Sequence, residues 1–158
     1  MPSRLIVSPA KKPLSGSVPV PSDRSITHRA LLLAALSNGP CELRGFAYGS
    51  DNLGMLGALA ALGVRYEDDK KGTLRVRGGG LRGLTAPKSP LDCGHSPTIA
   101  RLLTGVLAGQ PFETQLVGSA TNSLRRMRAV TEPLVRRGAQ IVGTPHPDEP
   151  TELCLPLR

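Results

Sequence analysis

Apolar residues recur along this chain in short runs, each about the length of one helix or one strand and each closed by glycine, proline or asparagine. Helical spacing predicts a helix over residues 23 to 36, stopped by Asn38-Gly39-Pro40. It predicts a second over 52 to 62, capped by Ser50-Asp51 and ended by Gly63, and a third over 97 to 108, ended by Gly109. A fourth covers 123 to 137, with Leu124, Met127, Val130 and Leu134 as its buried stripe and Gly138 as its stop. Strands are expected over 4 to 7, 17 to 20, 41 to 46, 91 to 93, 112 to 117, 140 to 142 and 152 to 155. Pro19 restricts the second of these to a sheet edge or a strand start. Residues 64 to 67 and 73 to 77 flank Asp68-Asp69-Lys70-Lys71-Gly72 and read as a hairpin.

The order of these elements repeats. Residues 16 to 84 and 85 to 158 each read β-α-β-α-β-β, with a period of about 70 to 75 residues. Leu59-Ala60-Ala61-Leu62-Gly63-Val64 in the first half matches Leu134-Val135-Arg136-Arg137-Gly138-Ala139 in the second. Two copies of one α/β unit are therefore expected, preceded by a short strand and loop over residues 1 to 15.

The repeat directs attention to helix starts. A first turn has backbone N–H groups without intrahelical partners and the positive end of the macrodipole, so it suits an anion. The first helix opens Pro21-Ser22-Asp23-Arg24-Ser25, with Arg29 one turn on; its counterpart opens Cys93-Gly94-His95-Ser96-Pro97-Thr98. Ser25 and Arg29 share a helix face, as do Arg24 and Thr27 or His28. A third cationic cluster, Ser123-Leu124-Arg125-Arg126-Met127-Arg128, opens the last helix. The two helix starts could converge on one anionic ligand, with an arginine of the third cluster beside them. The same residues also suit ordinary capped helices with solvated arginines, and His95 suits polar surface as well as an acid–base group.

Composition sharpens this only in part. A formal net charge of +8 favours an anionic partner, either nucleic acid or a small phosphorylated molecule. Aromatic residues make up only 3%, and no run of five or six basic residues occurs, which argues against a nucleic-acid-binding domain. Cys41, Cys93 and Cys154 read as reduced, mostly buried thiols of a cytoplasmic protein. Neither metal-ligand spacing nor an apolar run long enough to cross a membrane is present, so no metal, cofactor or membrane partner is expected.

Four blocks carry a family resemblance: Pro21-Ser-Asp-Arg-Ser-Ile-Thr-His-Arg29, Ser50-Asp-Asn-Leu-Gly-Met-Leu56, Leu91-Asp-Cys-Gly-His-Ser-Pro-Thr-Ile-Ala-Arg101, and Ser123-Leu-Arg-Arg-Met127 with Glu132-Pro133-Leu134. In this order and spacing they resemble the EPSP synthase (3-phosphoshikimate 1-carboxyvinyltransferase) family of enolpyruvyl transferases, over essentially the whole chain. The resemblance implies an inverse β-prism of βαβαββ repeats, three to a domain, of which about two are present here. Residues 1 to 15 would belong to the other domain. A family member is more than twice as long, so the chain is expected to be its N-terminal part, a fragment or a truncated reading frame.

The implied reaction transfers the enolpyruvyl group of phosphoenolpyruvate to the 5-hydroxyl of shikimate 3-phosphate, without metal or organic cofactor, in the pathway to chorismate and the aromatic amino acids. By resemblance Arg24, Ser25 and Arg29 fall at the shikimate 3-phosphate site, and Arg24, Pro97 and either Arg125 or Arg126 at the phosphoenolpyruvate site. The chain departs from the family pattern at Arg24, where a lysine is usual, and at His95-Ser96-Pro97-Thr98, where Asn-Ser-Gly-Thr or Asn-Ala-Gly-Thr is usual. A shortened Arg126-Met127 turn is the third departure. All three lie on the phosphoenolpyruvate side, and the family's acid–base carboxylate comes from the half that this chain lacks. The chain alone is therefore expected to be weak or inactive. It would bind shikimate 3-phosphate without turnover, associate with itself, or pair with a complementary C-terminal half.

Overall fold

The computed structural model describes residues 5–158. The elements follow the order α1 (Arg24–Ala35), β1 (Pro40–Arg44), α2 (Ser50–Ala61), β2 (Arg65–Asp68), β3 (Thr73–Arg77), β4 (Leu91–Asp92), α3 (Pro97–Leu107), β5 (Leu116–Val117), α4 (Ala120–Ser123), α5 (Arg128–Val135), β6 (Gly143–His146) and β7 (Glu149–Leu157). They form an α/β fold with two sheets, ordered β1-β3-β2 and β4-β5-β7-β6.

The sheets obey the same rule. In the first, β3 lies between β1 and β2 and pairs antiparallel with both, with Cys41 opposite Val76 and Tyr66 opposite Val76. In the second, β7 lies between β5 and β6, again antiparallel to both, and the short β4 adds to β5 in parallel. The turns that end α2 and α5 also match. Gly63 takes φ +88° and Gly138 takes φ +95°, a left-handed conformation that side chains disfavour. In the first turn Val64 N–H donates to Leu59 O at 3.0 Å, and in the second Ala139 N–H donates to Leu134 O at 3.1 Å, so each glycine closes its helix by the same six-to-one bond.

Several expected elements differ. Of the strand expected over 4 to 7, Arg4 lies outside the described residues and 5 to 7 are not in a strand. Residues 17 to 20 form no strand either: Val18 and Val20 are 79% and 83% exposed. Two valines around a proline supply too few ladder donors and too little buried area to hold an edge position. The single helix expected over 123 to 137 is broken into α4 and α5, because residues 124 to 127 form a turn whose Met127 N–H donates to Leu153 O at 2.9 Å. Leu124 consequently leaves the buried stripe and is 56% exposed, whereas Met127 is buried. The last hairpin is shifted along the chain: β6 begins at Gly143, beyond the 140 to 142 expected, and β7 extends from Glu149 to Leu157.

One apolar core holds these elements. Leu31 and Leu32 of α1, Met55 and Leu59 of α2, Leu74 and Val76 of β3, and Ile99 and Leu103 of α3 belong to a single buried cluster. The faces are set by spacing. Leu31, Leu32 and Ala35 lie on one side of α1, while Leu33 projects outward and is exposed. Helix α1 packs on α2 and β3, α2 packs on α3 and β4, and α3 packs on α5. Because Leu31 is fully buried between these elements, Leu31→Ala leaves a cavity as well as losing transfer energy, and should destabilise the fold by about 2–5 kcal/mol. Denaturant unfolding checks this; a loss under about 1 kcal/mol would show that the α1–α2 seam is not tightly packed.

Candidate anion-binding site

The start of α1 is held by a side-chain cap. Asp23 has extended backbone, and its Oδ1 accepts the Ile26 N–H at 2.7 Å, leaving the neighbouring donors of the first turn open. Thr27 Oγ1 donates back to Asp23 O at 2.8 Å, and Ser22 Oγ donates to Gly45 O, tying the approach to the helix down to the end of β1. Arg24, Ser25 and Arg29 lie exposed on this turn, and Arg29 Nη1 donates to Ser25 O at 3.1 Å. The expected pairing of positions 25 and 29 on one face is therefore observed, through the serine carbonyl.

A second helix start joins this one. Helix α2 follows Gly49, its N-cap, which has no side chain to cap with; the capping expected of Ser50-Asp51 is absent, because both residues already lie within the helix. Asp51 faces α1 instead. Arg24 Nη1 donates to Asp51 Oδ2 at 2.8 Å, with the arginine 65% and the aspartate 22% exposed. Asn52 is buried and its Nδ2 donates to Ala47 O at 2.8 Å, fixing the loop that delivers Asp51.

Beneath the cations lies His28, fully buried, with neither ring nitrogen hydrogen-bonded to a side chain or backbone group among the described residues. Burial pushes its pKa below the ordinary 6.5; the nearby Asp51 opposes that shift, and the charges of Arg24 and Arg29 add to it. The imidazole is thus kept neutral and adds no competing cation to the turn.

The other expected residues gather around α3. Pro97 occupies the first position of α3, after Ser96, which is buried but makes no side-chain cap bond, contrary to the expected capping. Gly94 O accepts both Asn122 Nδ2 at 3.0 Å and Ser119 N–H at 2.9 Å, so the turn before α3 is bonded to the start of α4. His95 lies exposed on that turn. Arg101 of α3 donates through Nη2 to Arg126 O at 3.1 Å, which seats the 124 to 127 turn against α3. Glu152, itself buried, accepts the Arg128 N–H at 2.6 Å and caps α5.

The two candidate arginines of this turn differ. Arg126 is paired with Glu149 at 3.2 Å, whereas Arg125 forms no ion pair among the described residues. No hydrogen bond or ion pair of those residues links Arg24, Ser25 or Arg29 to Pro97, Arg125 or Arg126. The polar cluster at α1 and α2 and the one at α3 and α4 are connected through α2, which packs on both α1 and α3. Sequence reasoning read Asp51 only as part of a cap and did not single out Asn122 or Glu149; an acid at a helix start suits a cap equally well, and for all three only tertiary pairing shows the role.

The thiols are not part of this chemistry. Burial, with Asp92 adding to it, pushes Cys93 up to about 12, and Cys154 is buried as well. No cluster of three or more His, Cys, Asp or Glu suited to a metal ion, and no helix long and apolar enough to cross a membrane, occurs among the described residues.

Comparison with known proteins matches the model of the EPSP synthase (3-phosphoshikimate 1-carboxyvinyltransferase) family to residues 9–149. A 3-phosphoshikimate 1-carboxyvinyltransferase of Acidithiobacillus ferrooxidans is 48% identical over 141 residues, which are 89% of this chain and 32% of that protein. One from Pelobacter propionicus is 48% identical over 130 residues, 82% of this chain and 30% of that protein. The solved structure of EPSP synthase from Acinetobacter baumannii superposes with a TM-score of 0.80 at 37% identity, covering 88% of this chain and 32% of that one. The chain thus spans about a third of the length of these relatives.

The neutral burial of His28 gives a pH dependence of known sign. The unfolded chain binds a proton near the ordinary 6.5 and the folded chain does so only at lower pH, so stability is full above that value and falls as pH drops below it. Denaturation midpoints between about pH 7.5 and 5.5 should therefore decline with acidification, while His28→Asn, whatever its absolute stability, should flatten the slope. An equal slope in the variant would assign the effect elsewhere.

Proposed function

Because the chain belongs to the EPSP synthase family, we propose that it supplies the shikimate 3-phosphate grip of an enolpyruvyl transferase, with little or no turnover by itself. The observation that carries this reading is the start of α1: a helix end capped by Asp23, with Arg24, Ser25 and Arg29 exposed and the only buried histidine of that turn held neutral. A phosphate and a carboxylate are best held by such charge-assisted donors.

In this reading Arg24, Ser25 and Arg29 hold shikimate 3-phosphate, and Arg24 and Pro97 border phosphoenolpyruvate. Arg125 is the better candidate for the second anion, since Glu149 already occupies Arg126. The reaction then runs as addition and elimination. The 5-hydroxyl oxygen bonds to C2 of phosphoenolpyruvate as C3 gains a proton and the hydroxyl loses one; C3 then returns its proton as the C2–phosphate bond breaks, releasing inorganic phosphate. The cations position both substrates and offset their charge. Groups that move the protons would come from the part of the family's length that this chain does not span. Pro97 adds to the deficit, because it has no N–H to offer at the start of α3.

The corresponding orders β1-β3-β2 and β5-β7-β6 support reading residues 16 to 84 and 85 to 158 as two copies of one prism unit; in this reading residues 1 to 15 belong to another domain. A cleft lined by Leu107, Phe112, Leu116, Ile141, Val142 and Leu157 suits packing by a complementary C-terminal half, or by a second copy, in a cytoplasmic enzyme.

Calorimetric titration of the purified chain with shikimate 3-phosphate, with and without phosphoenolpyruvate, tests the proposal. Binding is expected, weakened by about 10- to 100-fold in Arg29→Ala, with Arg125→Ala reducing only the phosphoenolpyruvate-dependent step. Phosphate release should be far below that of full-length relatives. Absence of binding, or release at a full-length rate, would overturn it.

A further inference from the structure

Arg24 is unlike the other cations of its turn, because a carboxylate from a different helix holds it. Asp51 Oδ2 accepts one bond from Arg24 Nη1, and no other hydrogen bond or ion pair of that guanidinium occurs among the described residues. A guanidinium donates from two edges, and a bond at Nη1 leaves the Nε–Nη2 edge complete for a bidentate anion. We infer that Asp51 is a positioning residue, whose carboxylate fixes the Arg24 fork so that its open edge faces the anionic substrate.

Three observations support this role over a chance surface pair. Asp51 lies in the first turn of α2, where free N–H groups and the helix dipole offset its charge, so it opposes an incoming phosphate less than an isolated carboxylate would. It is itself held in place: its side chain is only 22% exposed, and the neighbouring Asn52 is buried and bonded to Ala47 O. The residue that it orients is an arginine. A lysine ammonium donates in any direction, but a planar fork contributes two bonds only when its plane is set beforehand, and an unheld Arg24 would lose rotamer freedom on every binding event. Asp51 removes that loss in advance.

This inference rests on the proposed substrate reading, and its test separates the two. Shikimate 3-phosphate would be titrated into the wild-type chain, Asp51→Asn, Arg24→Ala and the double variant, with Arg Nε and Nη resonances followed by NMR. Asp51→Asn should weaken binding between about 3- and 30-fold and should cost nothing further once Arg24 is alanine. Its Arg24 guanidinium signals should change from slowly rotating to freely rotating, while its melting midpoint stays near the wild-type value. Asp51→Ser, which keeps a polar helix start, should reproduce the binding loss. A penalty that persists in the Arg24→Ala background would make Asp51 a structural residue of α2 and overturn the inference. If the wild-type chain binds no shikimate 3-phosphate, the substrate reading fails. The guanidinium signals then decide alone: unchanged Arg24 rotation in Asp51→Asn would overturn the positioning role, and released rotation would sustain it.

Discussion

One constraint shapes the rest of this molecule: α1 must be buried on one side and chemically open at its start. Leu31, Leu32 and Ala35 anchor the helix in the core against α2 and β3, and this anchoring lets three polar residues at its first two turns stay exposed without loosening it. Asp23 caps one donor of the first turn, and its neighbours stay open to water or to an anion. His28 sits where the two demands meet. It fills space in the core and is neutral there, since a second charge beneath Arg24 and Arg29 would be costly without water or a partner.

A further helix start, that of α3, carries different chemistry. This helix begins with Pro97, and the turn before it is held by Asn122 and the Ser119 N–H through Gly94 O. The result is a rigid start with one donor fewer. Arg126 is likewise engaged by Glu149, and Arg128 by Glu132 at 3.0 Å. These pairs are exposed and contribute little to stability. Their effect is directional, because they leave Arg125 as the arginine of that turn with no ion pair among the described residues.

Much of the fold was legible because its signals are local. Gly63 and Gly138 mark helix ends through a conformation that other residues avoid, and the alternation around Asp68 to Gly72 gives the hairpin directly. The failures are non-local. The 124 to 127 turn keeps a helical apolar spacing and is broken by a bond to Leu153, twenty-six residues on, together with the Glu152 carboxylate. Residues 17 to 20 have strand composition but pair with no strand among the described residues. Placement divides in the same way: that Arg24, Ser25 and Arg29 stand at one exposed helix start follows from local sequence, whereas the pairing of Asp51 with Arg24 depends on α2 lying against α1.

The central claim is that the first turn of α1, set against α2, is an anion-binding surface. The most direct measurement is amide chemical-shift mapping on the labelled chain during addition of shikimate 3-phosphate. The account predicts saturable shifts concentrated at residues 23 to 29 and 49 to 52, with the outer face of the β1-β3-β2 sheet unchanged. Shifts spread over the exposed arginines of that sheet, or none at all, would contradict it.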